Sequence, residues 1–519
     1  MRILSFLLLY SVSTLGLAST AFEPSNAPGP YAVGLQLVQH VDHTRVFKPT
    51  LDFDTGTATH GERDRPVQML VWYPAQPSAQ RIVHGDYLRL GLTEGDFSLS
   101  NTQIERLYAD KVRALRKRMG DAQRADSALS APTRAGRDAA PAPGKFPVVI
   151  YAPGAGGTVA ENSDLCELLA SHGYVVIAVP SMGAHTRGIT IDLEGLEAQA
   201  GDISLAIAHA HSLPQADVGR IAAMGFSFGG LASVLVAAKD DRVRALVSVD
   251  GSMRSHPEFI NGSREAARYV SPARLAVPLL YVAAQPRTLE KLIGNSDLSY
   301  SLVNEMKFSD VYGVTFWPMQ HADFCSDTLR QANPARYTEY SLQEVATAHN
   351  AMQLYVLHFL NARLKGEGDK ASSEAFLVNA PRENGLPPHV ASVEVTRARA
   401  AAPTFASWVA ELYQRGFAQA VPAYEARQKL DAQFKPDENM LNNWAYRLMQ
   451  LGRVKDAIEI FKVNTAIYPS SWNAFDSLAE GYATDKNKAL ALQNYKKSLE
   501  LDPGNTNAVE QLKLLGAGG

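Results

Sequence analysis

The sequence predicts an α/β protein, a mostly parallel sheet with helices on both faces, followed by a small all-α region. Three observations carry this. Between residues 146 and 316, short and wholly apolar runs alternate with segments of helical length. Continuous apolar runs mark strands buried on both faces, which is the condition of a parallel sheet covered by helices. Past residue 400 the alternation stops and a repeat takes over. The chain has 519 residues, 46% hydrophobic and 20% charged, enough for two or three domains. A net charge of -3 leaves no basic excess to neutralise phosphates, so nucleic acid is not an expected partner.

The amino terminus has one basic residue, Arg2, then an apolar stretch to Leu17 and small residues to Ala21. This pattern predicts a signal peptide over residues 1–21 and a periplasmic or secreted protein. No later run approaches the ~20 apolar residues of a membrane span, so none is expected once the signal is removed. Strands are expected at 31–41 and 67–72. Residues 85–145 read as an insertion. Within it Ile104, Leu107, Tyr108, Val112, Leu115 and Met119 recur at helical spacing, with Arg113, Arg116, Lys117 and Arg118 on other faces. That basic helix reads as a cover over the domain, or as a lid that meets anionic or lipidic substrate. Residues 120–145, rich in Ala, Arg, Asp and Pro, read as a solvated loop.

The alternating region supplies strands at 146–151, 174–179, 220–224, 243–249, 277–283 and 311–316. Helices are expected at 162–171, 194–212, 230–239 and 263–268, and a long one at 341–364 closes the domain, which spans 22–400. In the tail, 401–519, Pro469 and Pro503 stand 34 residues apart. The same offset relates Ala445 to Ala479, Ala457 to Ala491, Phe461 to Tyr495, and Asn473-Ala474 to Asn507-Ala508. Small residues where helices cross, at this period, predict tetratricopeptide-like repeats, with residues 408–430 as an atypical first unit. Such repeats expose a concave face for a protein partner.

Ser227 lies in Gly225-Phe-Ser-Phe-Gly-Gly230, between an apolar strand and the expected helix 230–239. A serine on so tight a strand-to-helix turn is presented as a nucleophile, and the flanking glycines spare the turn a colliding Cβ. A hydroxyl needs a base to take its proton. In the nucleophile-elbow arrangement the order is Ser, Asp or Glu, then His, which sets aside every histidine before residue 227. His349 and His358 fall inside the long helix, His256 stands too close to the preceding strand, and His389 is in a connecting segment. His321 remains, on the loop after the strand 311–316.

The acid has two conventional positions. Asp250 stands at the tip of the strand after the elbow strand, whereas the strand 277–283 ends with no carboxylate nearby before Glu290. Asp250 is therefore the candidate to orient His321. For the oxyanion, one donor is the Phe228 amide. The other is expected from Pro153-Gly-Ala-Gly-Gly-Thr158, with Ala155 N–H preferred and Gly154 as the alternative. No H-E-x-x-H motif is present, and His209 and His211, two apart, point in different directions on a helix. Neither a metal nor another cofactor is expected. Cys166 and Cys325 alone do not make a disulfide framework.

Val71-Trp-Tyr-Pro-Ala75, Phe146-Pro-Val-Val-Ile-Tyr-Ala-Pro-Gly154 and Gly225-Phe-Ser-Phe-Gly-Gly230 together resemble the platelet-activating-factor acetylhydrolase branch of the α/β-hydrolases, close to the dienelactone hydrolases. The resemblance covers residues 31–364 and implies an α/β-hydrolase fold, an acid about two dozen residues after the serine, and a histidine before an Ala-Asp-Phe-like element, which here is His321-Ala-Asp-Phe324. It also implies calcium-independent hydrolysis of short or oxidised acyl esters, including phospholipid sn-2 esters. The exported start, the insertion and the repeat tail depart from that branch. The expectation is an exported serine ester hydrolase acting on a small-molecule or lipid ester. Acyl transfer or thioester hydrolysis on the same residues, and a repeat-mediated interaction protein with a vestigial hydrolase domain, are the rival readings.

Overall fold

A computed structural model describes residues 22, 24–47, 63–78, 80–256, 259, 270, 275–285 and 301–516. The expected signal peptide, the helix 263–268 and Glu290 lie outside these residues. The chain divides into two compact units, Met1–Ala400 and Ala401–Gly519.

The first unit is built on one eleven-stranded sheet in the order β11-β10-β9-β8-β7-β5-β6-β2-β1-β4-β3. Its centre is β5 (Phe146–Ala152), β6 (Val175–Ala178), β7 (Ala216–Phe226), β8 (Val243–Val249), β9 (Leu279–Ala284) and β10 (Val311–Phe316), all paired in parallel. β1 (Ala32–Phe47) and β2 (Arg63–Ala75) form a long antiparallel pair beside β6. Alternation along each central strand feeds two cores. Val149, Tyr151, Met224 and Val247 pack on one face. Val148, Ile150, Ala223 and Leu246 pack on the other, as the two-residue period of a strand requires. The first core is covered by the helices Ser163–Ser171 and Leu342–Leu364, the second by Leu193–Ala210 and Phe228–Lys239.

The strand order positions the site. The chain leaves β5 for β6 on one side, then crosses to β7 on the other. The carboxyl ends of β5 and β7 therefore open a crevice where successive crossovers diverge, the place where sheets of this kind bind ligands.

Two expectations need correction. Residues 120–145 are not a solvated loop: they hold the helix Ala122–Ser130 and β4 (Pro132–Arg137), with Thr133 and Ala135 buried. β4 runs parallel to β1 and antiparallel to β3 (Arg81–Val83). Its Pro and Gly content imitates a loop, yet Pro at the first residue of a strand removes no needed donor. Nor does the helix Leu342–Leu364 close the unit. The helix Glu367–Val378 and β11 (Ala391–Thr396) follow, and β11 pairs antiparallel with β10. Ala391, Val393 and Val395 of β11 face the core, an edge pattern too short to read from sequence. The basic helix is found at Asn101–Met119, with Leu115 and Met119 buried.

The second unit is all helical. Helices begin at Glu438, Trp472 and Thr506, and between them at Val454 and Lys488, each series at 34-residue spacing. Ala445 and Ala479, Ala457 and Ala491, and Ala474 and Ala508 are all 0% exposed. The paired positions therefore sit where consecutive helices pack. Trp408, Leu412 and Phe417 of the first helices are buried in one core with Ala445 and Ala457.

Candidate active site

Ser227 joins the end of β7 to the helix Phe228–Lys239 at φ 53° and ψ −121°, a conformation that L-residues occupy at a cost and that clusters at functional sites. Its neighbours show why the turn closes. A Cβ on Gly225 would stand 2.2 Å from the Gly229 carbonyl oxygen, and one on Gly229 would stand 2.1 Å from that of Ala152. Gly225→Ala must therefore displace the elbow. We expect a loss of about 1–3 kcal/mol in urea unfolding, as for overpacked sites, and roughly a hundredfold loss in rate from misplacing the hydroxyl. Wild-type values in both assays would contradict this account of the turn.

Three carboxyl-end loops bring Ser227, His321 and Asp250 together. His321 opens a short 3-10 turn, His321–Phe324, after β10, and Asp250 follows β8 at φ 42°. His321 Nδ1 lies 2.5 Å from Asp250 Oδ2, and Nε2 lies 2.9 Å from Ser227 Oγ. A carboxylate only accepts, so Nδ1 donates and Nε2 is left to accept from the serine. The other carboxylate oxygen, Asp250 Oδ1, accepts from the Ala284 amide at 2.9 Å. The end of β9, where an alternative acid was sought, thus supplies a donor that pins Asp250. The imidazole also stacks on Phe226, with centroids 5.0 Å apart. Ser252 donates its amide to the Ser227 carbonyl at 3.0 Å.

The Phe228 amide is the first of its helix and has no carbonyl within the helix to bond. The loop after β5 passes close by: a Cβ on Gly154 would stand 3.2 Å from Ser227 Cβ. The Gly154 amide is engaged elsewhere, donating to Glu161 Oε1 at 2.8 Å. This leaves the exposed Ala155 as the donor candidate on that loop and sets Gly154 aside. Cys166 and Cys325 are both buried as free thiols.

Sequence reasoning missed the polar layer beneath this loop. Glu161 Oε1 also accepts from Tyr151 Oη at 2.8 Å, and Asn162 Nδ2 donates to the same Tyr151 oxygen at 2.7 Å. Burial pushes the Glu161 carboxyl up to about 8, against the pull of the Gly154 and Tyr151 hydrogen bonds. Burial likewise lifts Asp327 to about 7. The available signal was a carboxylate four residues past Gly157, the last glycine of the Gly-rich loop. Beside His321 opens a cavity of ≈ 1090 Å³, walled by Arg118, Gln320, Asn333, Arg336 and Tyr337 among others. The end of the basic helix therefore reaches its wall. Among the described residues no group of three or more His, Cys, Asp or Glu is arranged to hold a metal ion, and no helix is long and apolar enough to cross a membrane.

A mostly parallel sheet with a serine on a strained strand-to-helix turn at its divergence point is the arrangement of an α/β-hydrolase fold. The comparisons agree. The dienelactone hydrolase family model matches residues 134–274, and the model for platelet-activating factor acetylhydrolase, isoform II, matches residues 24–185. The chain is a hydrolase similar to that branch. No curated protein matches it. Among solved structures, a ferulic acid esterase from Streptomyces cinnamoneus is 19% identical, with 72% of this chain and 98% of that one covered at a TM-score of 0.47.

Proposed function

We propose that this protein is a serine carboxylic-ester hydrolase. The observation that supports it most is the unbroken relay from Ser227 through His321 to Asp250, with separations of 2.9 and 2.5 Å. In this reading Ser227 Oγ attacks the ester carbonyl while His321 Nε2 takes its proton. Asp250 keeps Nδ1 protonated and stabilises the imidazolium. The Phe228 and Ala155 amides receive the charge that develops on the carbonyl oxygen. His321 then protonates the departing alcohol, leaving the acyl group on Ser227. The same nitrogen takes a proton from a water molecule that attacks the acyl carbonyl, and returns it to Ser227 Oγ as the bond to the acid breaks.

The similarity to the acetylhydrolase model over residues 24–185 supports short-acyl esters, phospholipid sn-2 esters included, as the substrate class. A panel of esters of graded acyl length tests this: kcat/KM is expected to fall as the chain lengthens, and turnover of none of them would remove the reading. The basic and then apolar start before Ala21 supports export to the periplasm or beyond. The 34-residue spacing of the tail supports tetratricopeptide-like repeats and a protein partner bound there.

Ser227, Asp250 and His321 all precede residue 400, and the residues from Ala401 form a unit with its own core. Removing everything after Ala400 is therefore expected to leave hydrolysis of a small soluble ester within several-fold of the intact chain. A truncated protein that is folded by circular dichroism but inactive on such esters would show that the tail completes the site.

A further inference from the structure

Glu161 is buried and forms no ion pair among the described residues. A buried carboxyl group without a cation is costly, so its retention calls for a reason. Its geometry offers one. The side chain reaches up to the oxyanion loop: Oε1 accepts from the Gly154 amide at 2.8 Å, and Oε2 lies against Gly157, where an added Cβ would stand 2.0 Å from it. The main chain reaches across to the segment that follows His321. The Glu161 carbonyl oxygen accepts from the Asp327 amide at 3.1 Å and from Ser326 Oγ at 3.1 Å. Next to it, Asn162 Oδ1 accepts from the Ser326 amide at 2.8 Å. One residue thus touches both the loop that offers the Ala155 amide and the segment that carries the base.

We propose that Glu161 is a positioning residue that holds the 154–157 loop in register with the His321 segment, so that the Ala155 amide meets the oxyanion. The proposal rests on the serine mechanism above. Glu161 touches no substrate, so its loss acts on the transition state, and kcat falls while KM stays nearly constant. The groups facing it are Tyr151 from β5, Cys166 from the helix Ser163–Ser171, Cys325 and Asp327 from the segment after His321, and Glu94. None of them supplies a positive charge. The carboxyl therefore keeps its proton in neutral solution and loses it as pH rises through about 8. The negative charge that then appears beneath the loop opposes the oxyanion, so kcat declines on the alkaline side.

The test measures kcat, KM and the pH profile of Glu161→Ala and Glu161→Gln in the full-length protein on a small soluble ester, with the fold checked by circular dichroism. Glu161→Ala is expected to lower kcat by about 10–100-fold, up to the effect of losing one oxyanion donor, with KM within about threefold. Glu161→Gln keeps an oxygen acceptor for Gly154. It is expected to retain kcat within a few-fold at pH 7 and to lack the decline above pH 8. The proposal is overturned if Glu161→Ala turns over within twofold of wild type, if glutamine is as damaging as alanine, or if Glu161→Gln keeps the alkaline decline. Should Glu161→Ala fail to fold, Glu161→Leu, which keeps the bulk but removes the acceptor for the Gly154 amide, takes its place with the same expected fall in kcat. A wild-type protein with no ester turnover would instead defeat the underlying serine mechanism.

Discussion

Replacing Ser227 with alanine is expected to lower kcat for a p-nitrophenyl ester by about 10⁴–10⁶-fold, the loss typical of a nucleophile that works with a base as one unit. The fold should survive. The strain at this position lies in the backbone, at φ 53°, and alanine leaves the closing contacts of Gly225 and Gly229 untouched. The hydroxyl's partners, His321 Nε2 at 2.9 Å and Ser252 Oγ at 3.5 Å, stand at the partly open mouth of the site, where water replaces it. Urea unfolding of Ser227→Ala should therefore match wild type within about 0.5 kcal/mol, the usual range for changes outside the core. Ester hydrolysis retained by the pure variant would sink the serine mechanism.

Asp250→Asn is the second large effect, expected at about 10⁴-fold in kcat. An asparagine amide in the same place presents a donor toward His321 Nδ1. The imidazole then places its proton on Nε2, where it can no longer accept from Ser227. The Ala284 amide, held 2.9 Å from Asp250 Oδ1, reinforces this outcome by claiming the side chain's remaining oxygen. Glu290→Gln and Asp297→Asn, at positions outside the described residues, are expected to change kcat little. Steady-state kinetics on the three variants separates the assignments: a crippling Glu290→Gln beside a mild Asp250→Asn would move the acid to the β9 loop.

Much of this was legible in the sequence for physical reasons. The central strands are apolar on both faces, so β8 and β10 were read at their observed bounds, Val243–Val249 and Val311–Phe316. The candidate residues stood at strand ends, where chain order together with position at a strand tip selects Asp250 and His321. Edges were harder to read. β4 begins with Pro132 and pairs with Val33–Leu35, about a hundred residues away, a partner that no local pattern announces. β11 offers only three inward residues, Ala391, Val393 and Val395. Glu161 was missed because its importance lies in what it touches: an amide on one loop and, through its carbonyl, the segment 165 residues further along. Ala155 was preferred over Gly154 in sequence, and the Gly154 amide's bond to Glu161 adds a reason for that preference which no local pattern shows.

The most direct test of the central claim is reaction of the full-length protein with a fluorophosphonate, followed by peptide mass mapping. The account predicts one adduct, on Ser227, formed in step with loss of ester hydrolysis and absent from Ser227→Ala. An adduct on another serine, or esterase activity that persists in a protein fully modified at Ser227, would contradict it.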